Sequence, residues 1–403
     1  MSPLPAFIFG MHDPGAEQIF LTANKPGWIV VTVKVNPPDS NGDFTSLAAA
    51  GFGVIVRLNN GYGSDGTLPV SNRYDSFAQQ CATFVSASHG ASIWLIGNET
   101  NLAFERPGNV NGSGGEVITP TLYGQCFSKC RAAIKNVPGH ATDWVIPAPV
   151  APWNTQTQYP ANPSGDWIKY FQDILAACAN LNASPDALAL HTYTHGFNAG
   201  LIASERKMSP PFDNRRAEFR AYRDFLAAVP SALKSLPVFI TETQAADPDW
   251  WQNSNIGWIQ QAYSEINNWN AVQANQPIQA LCLFRWITGE PRWSISDKPA
   301  LQNDFRAALQ NNFRVRWPGP AAPDPVAAAA VAAALKLRWM PINTGAALYK
   351  FAQQNNLGYP QTDEFEFTFN NATYVSQVYN LGIVYVKKGD WGNIRSVAKP
   401  AEV

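Results

Sequence analysis

Apolar residues in this chain fall into short runs separated by amphipathic stretches, and the two alternate to about residue 315. The runs cover 7–12, 28–35, 53–58, 93–99, 144–149, 187–193, 238–242 and 280–286. Each is nearly continuous and contains β-branched residues, the pattern of a parallel strand covered on both faces. Between the fifth and sixth runs, Trp167, Tyr170, Phe171, Ile174, Leu175 and Cys178 recur at three- and four-residue spacing and share one helix face. Segments 71–88, 121–136, 213–233 and 256–271 predict helices in the same way. Gly51 and Gly90 mark helix ends just before the next strand. Strand–helix units repeated eight times predict a (β/α)8 barrel over 1–316. A doubly wound open sheet is the alternative, but the first run leads into His12-Asp13-Pro14-Gly15 rather than a Gly-rich phosphate loop.

The pattern changes after residue 316. Pro318, Pro320, Pro323 and Pro325 predict a stiff linker over 317–325. An Ala-rich helix is expected over 326–337 and a second over 346–355. Phe365, Phe367 and Phe369 alternate with Glu366 and Thr368 as in a half-buried strand. Asn370-Asn371 reads as a turn, followed by strands over 374–379 and 383–386. Residues 326–403 are thus expected to form a small α+β accessory module, in which Tyr374, Tyr379, Tyr385 and Trp391 are candidate glycan contacts or core.

Composition narrows the function. A formal charge of -1 gives no electrostatic case for nucleic acid or an anionic membrane. No apolar stretch approaches the roughly 20 residues of a membrane span. Charged residues make up only 15% while there are 14 Trp, a balance that suits a neutral polymer with apolar faces. The five Cys are scattered without metal-ligand spacing and read as free structural thiols. No cofactor or resident metal is expected, and the chain is expected to be a monomer. Its first residues lack a signal peptide's basic and apolar regions. A polysaccharide substrate would favour secretion, with a cytoplasmic location left open. Asn98-Glu99-Thr100 is formally a glycosylation sequon, read here as coincidence.

In a (β/α)8 barrel the chemistry sits at the C-terminal ends of the strands. Those ends carry His12, Arg57, Asn59, Asn98, Glu99, Trp153, Asn154, His191, Tyr193, His195, Glu242 and Trp286. Glu99 ends the fourth run and Glu242 the seventh, roughly across the mouth from each other. Two facing carboxylates are what hydrolysis of a glycosidic bond requires. Trp250, Trp251 and Trp293 lie in or near strand-end loops and are candidate sugar platforms.

Gly97-Asn98-Glu99, Thr241-Glu242, His191-Thr192-Tyr193 and Trp286 together resemble clan A of the glycoside hydrolases, over about residues 5–315. Where that clan usually has Pro after Asn-Glu, this chain has Thr100. The resemblance implies Glu99 as acid/base, Glu242 as nucleophile and retention at a β-glycosidic bond. Asn98 would bond the sugar 2-hydroxyl, Tyr193 would donate to Glu242, Arg57 would add positive potential, and Trp286 would lie beneath the sugar. His12, His191, Trp153 and Asn154 are expected to complete the substrate site. Loops 59–69 and 101–116 would wall an open groove and favour endo action. Two alternatives stand beside this reading: a metal-dependent barrel hydrolase using His12, His191, His195 and a Glu, and a barrel that only binds glycan.

Overall fold

The computed structural model describes residues 4–316, 330, 333 and 343–400. The eight runs form parallel strands: β1 Phe9–His12, β2 Trp28–Lys34, β3 Gly53–Asn59, β4 Ile93–Ile96, β5 Trp144–Pro147, β6 Leu188–His191, β7 Val238–Thr243 and β8 Ile278–Leu283. They pair in the order β5-β4-β3-β2-β1-β8-β7-β6. Each strand neighbours its sequence neighbours and β1 pairs with β8, so the sheet curls into a ring rather than a doubly wound sheet. Between the end strands, the Asp186 amide donates to the Val145 carbonyl (3.2 Å) and the Asp186 carboxylate accepts from the Val145 amide (2.9 Å). The fold is a (β/α)8 barrel.

The outer layer comprises α1 Glu17–Thr22, α2 Thr45–Ala49, α3 Tyr74–Ala87, α4 Pro120–Lys135, α5 Trp167–Asn180, α6 Tyr222–Ala228, α7 Trp258–Ala271 and α8 Pro299–Ala308. Local chemistry sets several starts. Thr119 caps α4 ahead of Pro120, and the Asp166 carboxylate accepts from the Ile168 amide (2.9 Å) to open α5. The helix expected over 213–233 shrinks to α6 with a 3-10 turn on each side, Phe219–Ala221 and Ser231–Leu233. Residues 213–218 are drawn into a loop instead, where Arg215 pairs with Asp166, Arg216 with Glu205 and Asp224, and Glu218 with Arg206. Those ion pairs compete with helix formation for the same residues.

Strand alternation sorts the barrel's two cores. Trp28, Val30, Ile55, Ile93, Leu95, Ile146, Ala189, Phe239, Ala280 and Cys282 fill the interior, while Phe9, Met11, Val54, Val56, Val238 and Ile240 pack against the helices. The Trp28 and Phe239 rings meet edge-on at 5.0 Å inside. Continuing the inward set by steps of two brings Thr32, Arg57 and His191 to the C-terminal end of the lumen. On β7 the same rule sends Glu242 outward with Ile240. The register slips there, between Ile240 and Glu242 against β6 and between Ile240 and Thr243 against β8. Such a bulge re-aims side chains, and Glu242 meets the inward-facing Arg57 and His12.

Contact clustering separates Met1–Ala271 with Asn275–Pro318 from Val272–Ala274 with Gly319–Val403. In the second unit, α9 Ala347–Gln354 accompanies an antiparallel sheet of β9 Phe365–Phe369, β10 Ala372–Val378, β11 Gly382–Lys387 and β12 Arg395–Ala398, paired in that order. Asn370 and Asn371 both have positive φ (46° and 60°), as a two-residue hairpin turn requires. Leu348 and Ala352 of α9 cluster with Val375, Tyr379, Val384 and Val386. Tyr379 is fully buried and Tyr385 nearly so, which places both in the core rather than on a glycan-facing surface. The linker expected over 317–325 and the helix over 326–337 lie outside the described residues, except for Ala330 and Ala333, which are helical. No helix among the described residues is long and apolar enough to cross a membrane.

Candidate active site

The polar layer at the top of the lumen brings both carboxylates together. Arg57 Nη2 lies 2.6 Å from Glu242 Oε1, and His12 Nε2 lies 3.7 Å from the same oxygen. The Tyr193 hydroxyl donates to Glu242 Oε2 at 3.1 Å and stands 3.3 Å from Glu99 Oε1. His191 bridges the fold, with Nδ1 2.7 Å from Glu99 Oε1 and Nε2 3.1 Å from Thr241 Oγ1. One ligating atom each of Glu99, His191 and Glu242 lies within 4.8 Å of the other two. Glu99 is 9% exposed and Glu242 6%, so both act largely out of bulk water.

Glu99 reaches this point by a turn rather than a strand. The strand expected over 93–99 stops at Ile96, because Gly97 adopts φ +77° and Glu99 itself φ +34°. A non-glycine residue in that region is strained and is held by its surroundings. Here the Thr67 hydroxyl donates to the Asn98 carbonyl (3.0 Å) and the Leu102 amide to the Glu99 carbonyl (2.7 Å).

Electrostatics give the carboxyl groups different characters. Burial pushes Glu242 up, but the charges of His191, Arg57 and His12 outweigh it and hold the carboxyl down at about 2. Burial lowers His12, against the pull of Asp13. Tyr193 is pushed well up by burial and by Glu242 and Glu99, so its hydroxyl keeps its proton. A third carboxyl, Glu105, is pushed up to about 8 by burial and then by the charge of Glu99. Its Oε1 accepts from Asn98 Nδ2 at 3.3 Å. Asn98 Oδ1 and Asn59 Oδ1 are buried without a protein partner.

The other expected site residues are placed differently. Trp153 is half-buried, 6.4 Å from the Tyr193 ring and tilted against the His195 ring at 4.3 Å, with its indole N–H donating to the Arg216 carbonyl (2.8 Å). Asn154 does not bond to either carboxylate. It closes its own loop on Gln156, accepting from the amide and donating to the side chain, both at 3.0 Å. β8 ends at Leu283, so Trp286 lies three residues past the strand. Its indole covers Gly15, where an added Cβ would fall 2.5 Å from Trp286 Cδ1. Phe284, the next position in the inward series after Ala280 and Cys282, is the ring that meets His12, edge-on at 4.9 Å. The step-two pattern carried that signal. Trp251 is 1% exposed and belongs to the core, not to a sugar platform. Trp250 and Trp293 pack edge to face at 6.4 Å.

His12, His191 and His195 do not assemble a metal site. The His195 side chain turns away to the Ala217 carbonyl (2.7 Å) and Glu218. Glu105 and Asp13 went unseen in the sequence. Glu105 sits in a loop with no periodicity, and Asp13 follows His12 to pair with both His12 and Arg285.

No protein-family model matches the chain, and no curated protein does. Among solved structures it is similar to a family 39 glycoside hydrolase from Bacteroides cellulosilyticus, with 11% identity over 95% of this chain and 71% of that one and a TM-score of 0.49. It is also similar to an endo-β-1,4-glucanase from Xanthomonas axonopodis pv. citri, with 12% identity over 76% and 99% of the two chains and a TM-score of 0.44. A monomeric β-xylosidase from Caulobacter crescentus matches with 14% identity over 78% and 70% and a TM-score of 0.44. Likenesses at this level say nothing of bond or sugar, and the barrel assignment rests on the chain's own strand order.

Proposed function

We propose that this protein is a glycoside hydrolase that cleaves β-glycosidic bonds of a polysaccharide with retention, Glu99 serving as acid/base and Glu242 as nucleophile. The observation that carries this reading is the approach of one Glu99 oxygen and one Glu242 oxygen to within 4.8 Å. Carboxyl groups about 5 Å apart suit a covalent intermediate, whereas inversion needs about 6.5–9.5 Å to admit a water.

In the first step Glu242 forms a bond to the anomeric carbon while the bond to the leaving oxygen breaks. Glu99 gives its proton to that oxygen. In the second step water attacks the anomeric carbon, Glu99 takes the water's proton, and Glu242 leaves as a carboxylate. Arg57 and His12 keep Glu242 ionised, His191 orients Glu99, and Tyr193 steadies Glu242 by donating to it. Loops 59–69 and 101–116 wall the mouth and favour cleavage within a chain. A polymer substrate would favour secretion, and the second unit is proposed to help hold glycan.

The test is turnover of a polysaccharide panel with product sizing and anomeric analysis by NMR. Glu99→Gln is expected to cost about 10²–10⁴-fold in kcat, and Glu242→Ala at least as much. Undiminished hydrolysis by either variant sinks the assignment of the two carboxylates; no hydrolysis of any glycan by the parent leaves glycan binding as the reading. The Glu99–His191–Glu242 trio has the donor set of a divalent-cation site, which supports metal-assisted hydrolysis as a second reading. Against it, the Arg57 guanidinium already holds Glu242 at 2.6 Å, and a cation would have to share that carboxylate. Activity that survives chelator excludes the metal; activity abolished by chelator and restored by metal overturns double displacement.

A further inference from the structure

In the second unit, α9 packs on one face of the sheet, with Leu348 and Ala352 against Val375, Val384 and Val386. The opposite face is built by register. Directly paired residues of antiparallel strands point to the same side. Tyr374 of β10 pairs with Phe367 of β9 and with Lys387 of β11, and Tyr385 of β11 pairs with Arg395 of β12. Tyr385 and Lys387 are two residues apart on one strand, so all five side chains share that face. The turn over 388–394 adds Asp390 and Asn393. Tyr374, Tyr385, Lys387, Asp390, Asn393 and Arg395 border one cavity of about 190 Å³.

The cavity combines an aromatic ring, an acceptor and a surplus of positive charge. Phe367 stacks on the Tyr374 ring at 5.2 Å with 16° between the planes, which leaves the ring's other side toward Lys387. Asn393 Nδ2 donates to Asp390 Oδ1 at 2.8 Å, so that carboxylate is held in place with its second oxygen open to another donor. Lys388 is paired with Glu366, whereas neither Lys387 nor Arg395 is ion-paired among the described residues. Lys387 and Arg395 set against Asp390 leave an excess of one positive charge.

We propose that this cavity binds a carboxylate-bearing sugar, a uronate unit of the polysaccharide, with Arg395 and Lys387 on the carboxylate. The guanidinium fork matches a carboxylate in two parallel hydrogen bonds. Tyr374 lies against the apolar face of the sugar ring, and Asp390 accepts from a sugar hydroxyl. That the occupant is a sugar rests on the glycosidase reading. Its charge and size rest on the cavity. One negative charge balances the excess, while a phosphate brings about -1.5 to -2 and would meet Asp390 as well. The volume is below the roughly 300 Å³ at which pockets for drug-sized ligands begin, which suits a single sugar unit. The charge-poor composition favours a mostly neutral polymer, so the uronate is an occasional unit of it rather than every unit.

Calorimetric titration of the full chain tests this, with Glu242→Ala in place so that no glycan is consumed. The probes are glucuronoxylan, alginate oligomers and oligogalacturonate, each beside its carboxyl-reduced form, with heparin and inorganic phosphate as further arms. At least one carboxylated probe is expected to bind about tenfold or more tighter than its reduced form. Lys387→Ala and Arg395→Ala should each remove most of that preference, and Arg395→Lys should restore only part of it. Both positions are exposed, so melting temperatures should stay within about 1 °C of the parent's. Added salt should weaken binding of the carboxylated probe and spare the reduced one. Equal affinity for the two forms, a preference that survives both alanine variants, or tighter binding of heparin or phosphate overturns the proposal. The two readings fail separately. A parent that cleaves glycan but shows no uronate preference loses this site alone, and one that binds uronate through Lys387 and Arg395 but cleaves nothing loses the glycosidase reading alone.

Discussion

Glu242 holds a charge where burial alone would remove it. The Arg57 guanidinium at 2.6 Å and the His191 and His12 rings supply the opposing potential. Its folded pKa lies below the ordinary 4.5, so the stability it contributes is present above that value and is lost as pH falls from 4.5 toward about 2. Replacing Arg57 by Ala leaves the buried carboxylate without its guanidinium partner, at a cost on the order of 3 kcal/mol near neutrality. Protonation relieves that charge, so the deficit in thermal stability should shrink as pH is lowered. The acid limb of kcat/KM should move upward, because Glu242 must be ionised to attack and would now protonate at higher pH. An unmoved acid limb in Arg57→Ala would separate Arg57 from the carboxylate's ionisation. Asn98 and Tyr193 work at the same scale, each through one polar atom whose partner is a carboxyl group.

Two local departures from regular structure position these side chains. The β7 bulge turns Glu242 from the helix-facing side into the lumen, which strict alternation would not do. The Gly97 turn ends β4 three residues before Glu99 and swings the carboxyl over the mouth. An alanine at Gly97 would combine φ +77° with a Cβ 2.9 Å from Leu68 Cδ2. It is expected to destabilise the fold by about 1–2 kcal/mol, a modest cost because Leu68 can shift. The kcat should fall much further than the melting temperature implies, since Asn98, Glu99 and the Glu105 turn all follow from that residue. Thermal melts alongside kcat decide it; a melt-only effect would mean that the turn does not set the carboxylate. The 213–233 segment shows the opposite case, where a helical pattern yielded to ion pairs made by Arg215, Arg216 and Glu218.

At the scale of the whole molecule, the barrel encloses its own two cores and closes on itself, and among the described residues all eight of its strands come from the first unit. A chain ending at residue 318 is therefore expected to fold and melt cooperatively, and to turn over a soluble oligosaccharide within about twofold of the full chain. Binding to insoluble glycan should weaken if the second unit holds polymer. An insoluble or inactive truncation would show that the barrel depends on the rest of the chain. The barrel was legible because buried parallel strands leave continuous apolar runs, and all eight runs became strands. The ends of those runs were less legible. Ile93–Ile96 stops short of Glu99 because the backbone turn at Gly97, not apolarity, terminates it, and Ile278–Leu283 stops short of Trp286.

By itself the sequence determined the repeating strand–helix order and the presence of Glu99 and Glu242 at two strand ends. Both follow from local rules: apolar periodicity and the polarity of a strand's last residues. Only the tertiary structure decided that Arg57, His12, His191 and Tyr193 converge on those carboxyl groups, and that Glu105 stands behind Asn98. It also decided that Phe284 rather than Trp286 meets His12. These pairings join residues far apart in the chain, at distances set by barrel closure, a bulge and a loop turn. No periodicity along a single segment encodes them, because each depends on how separate segments register against one another.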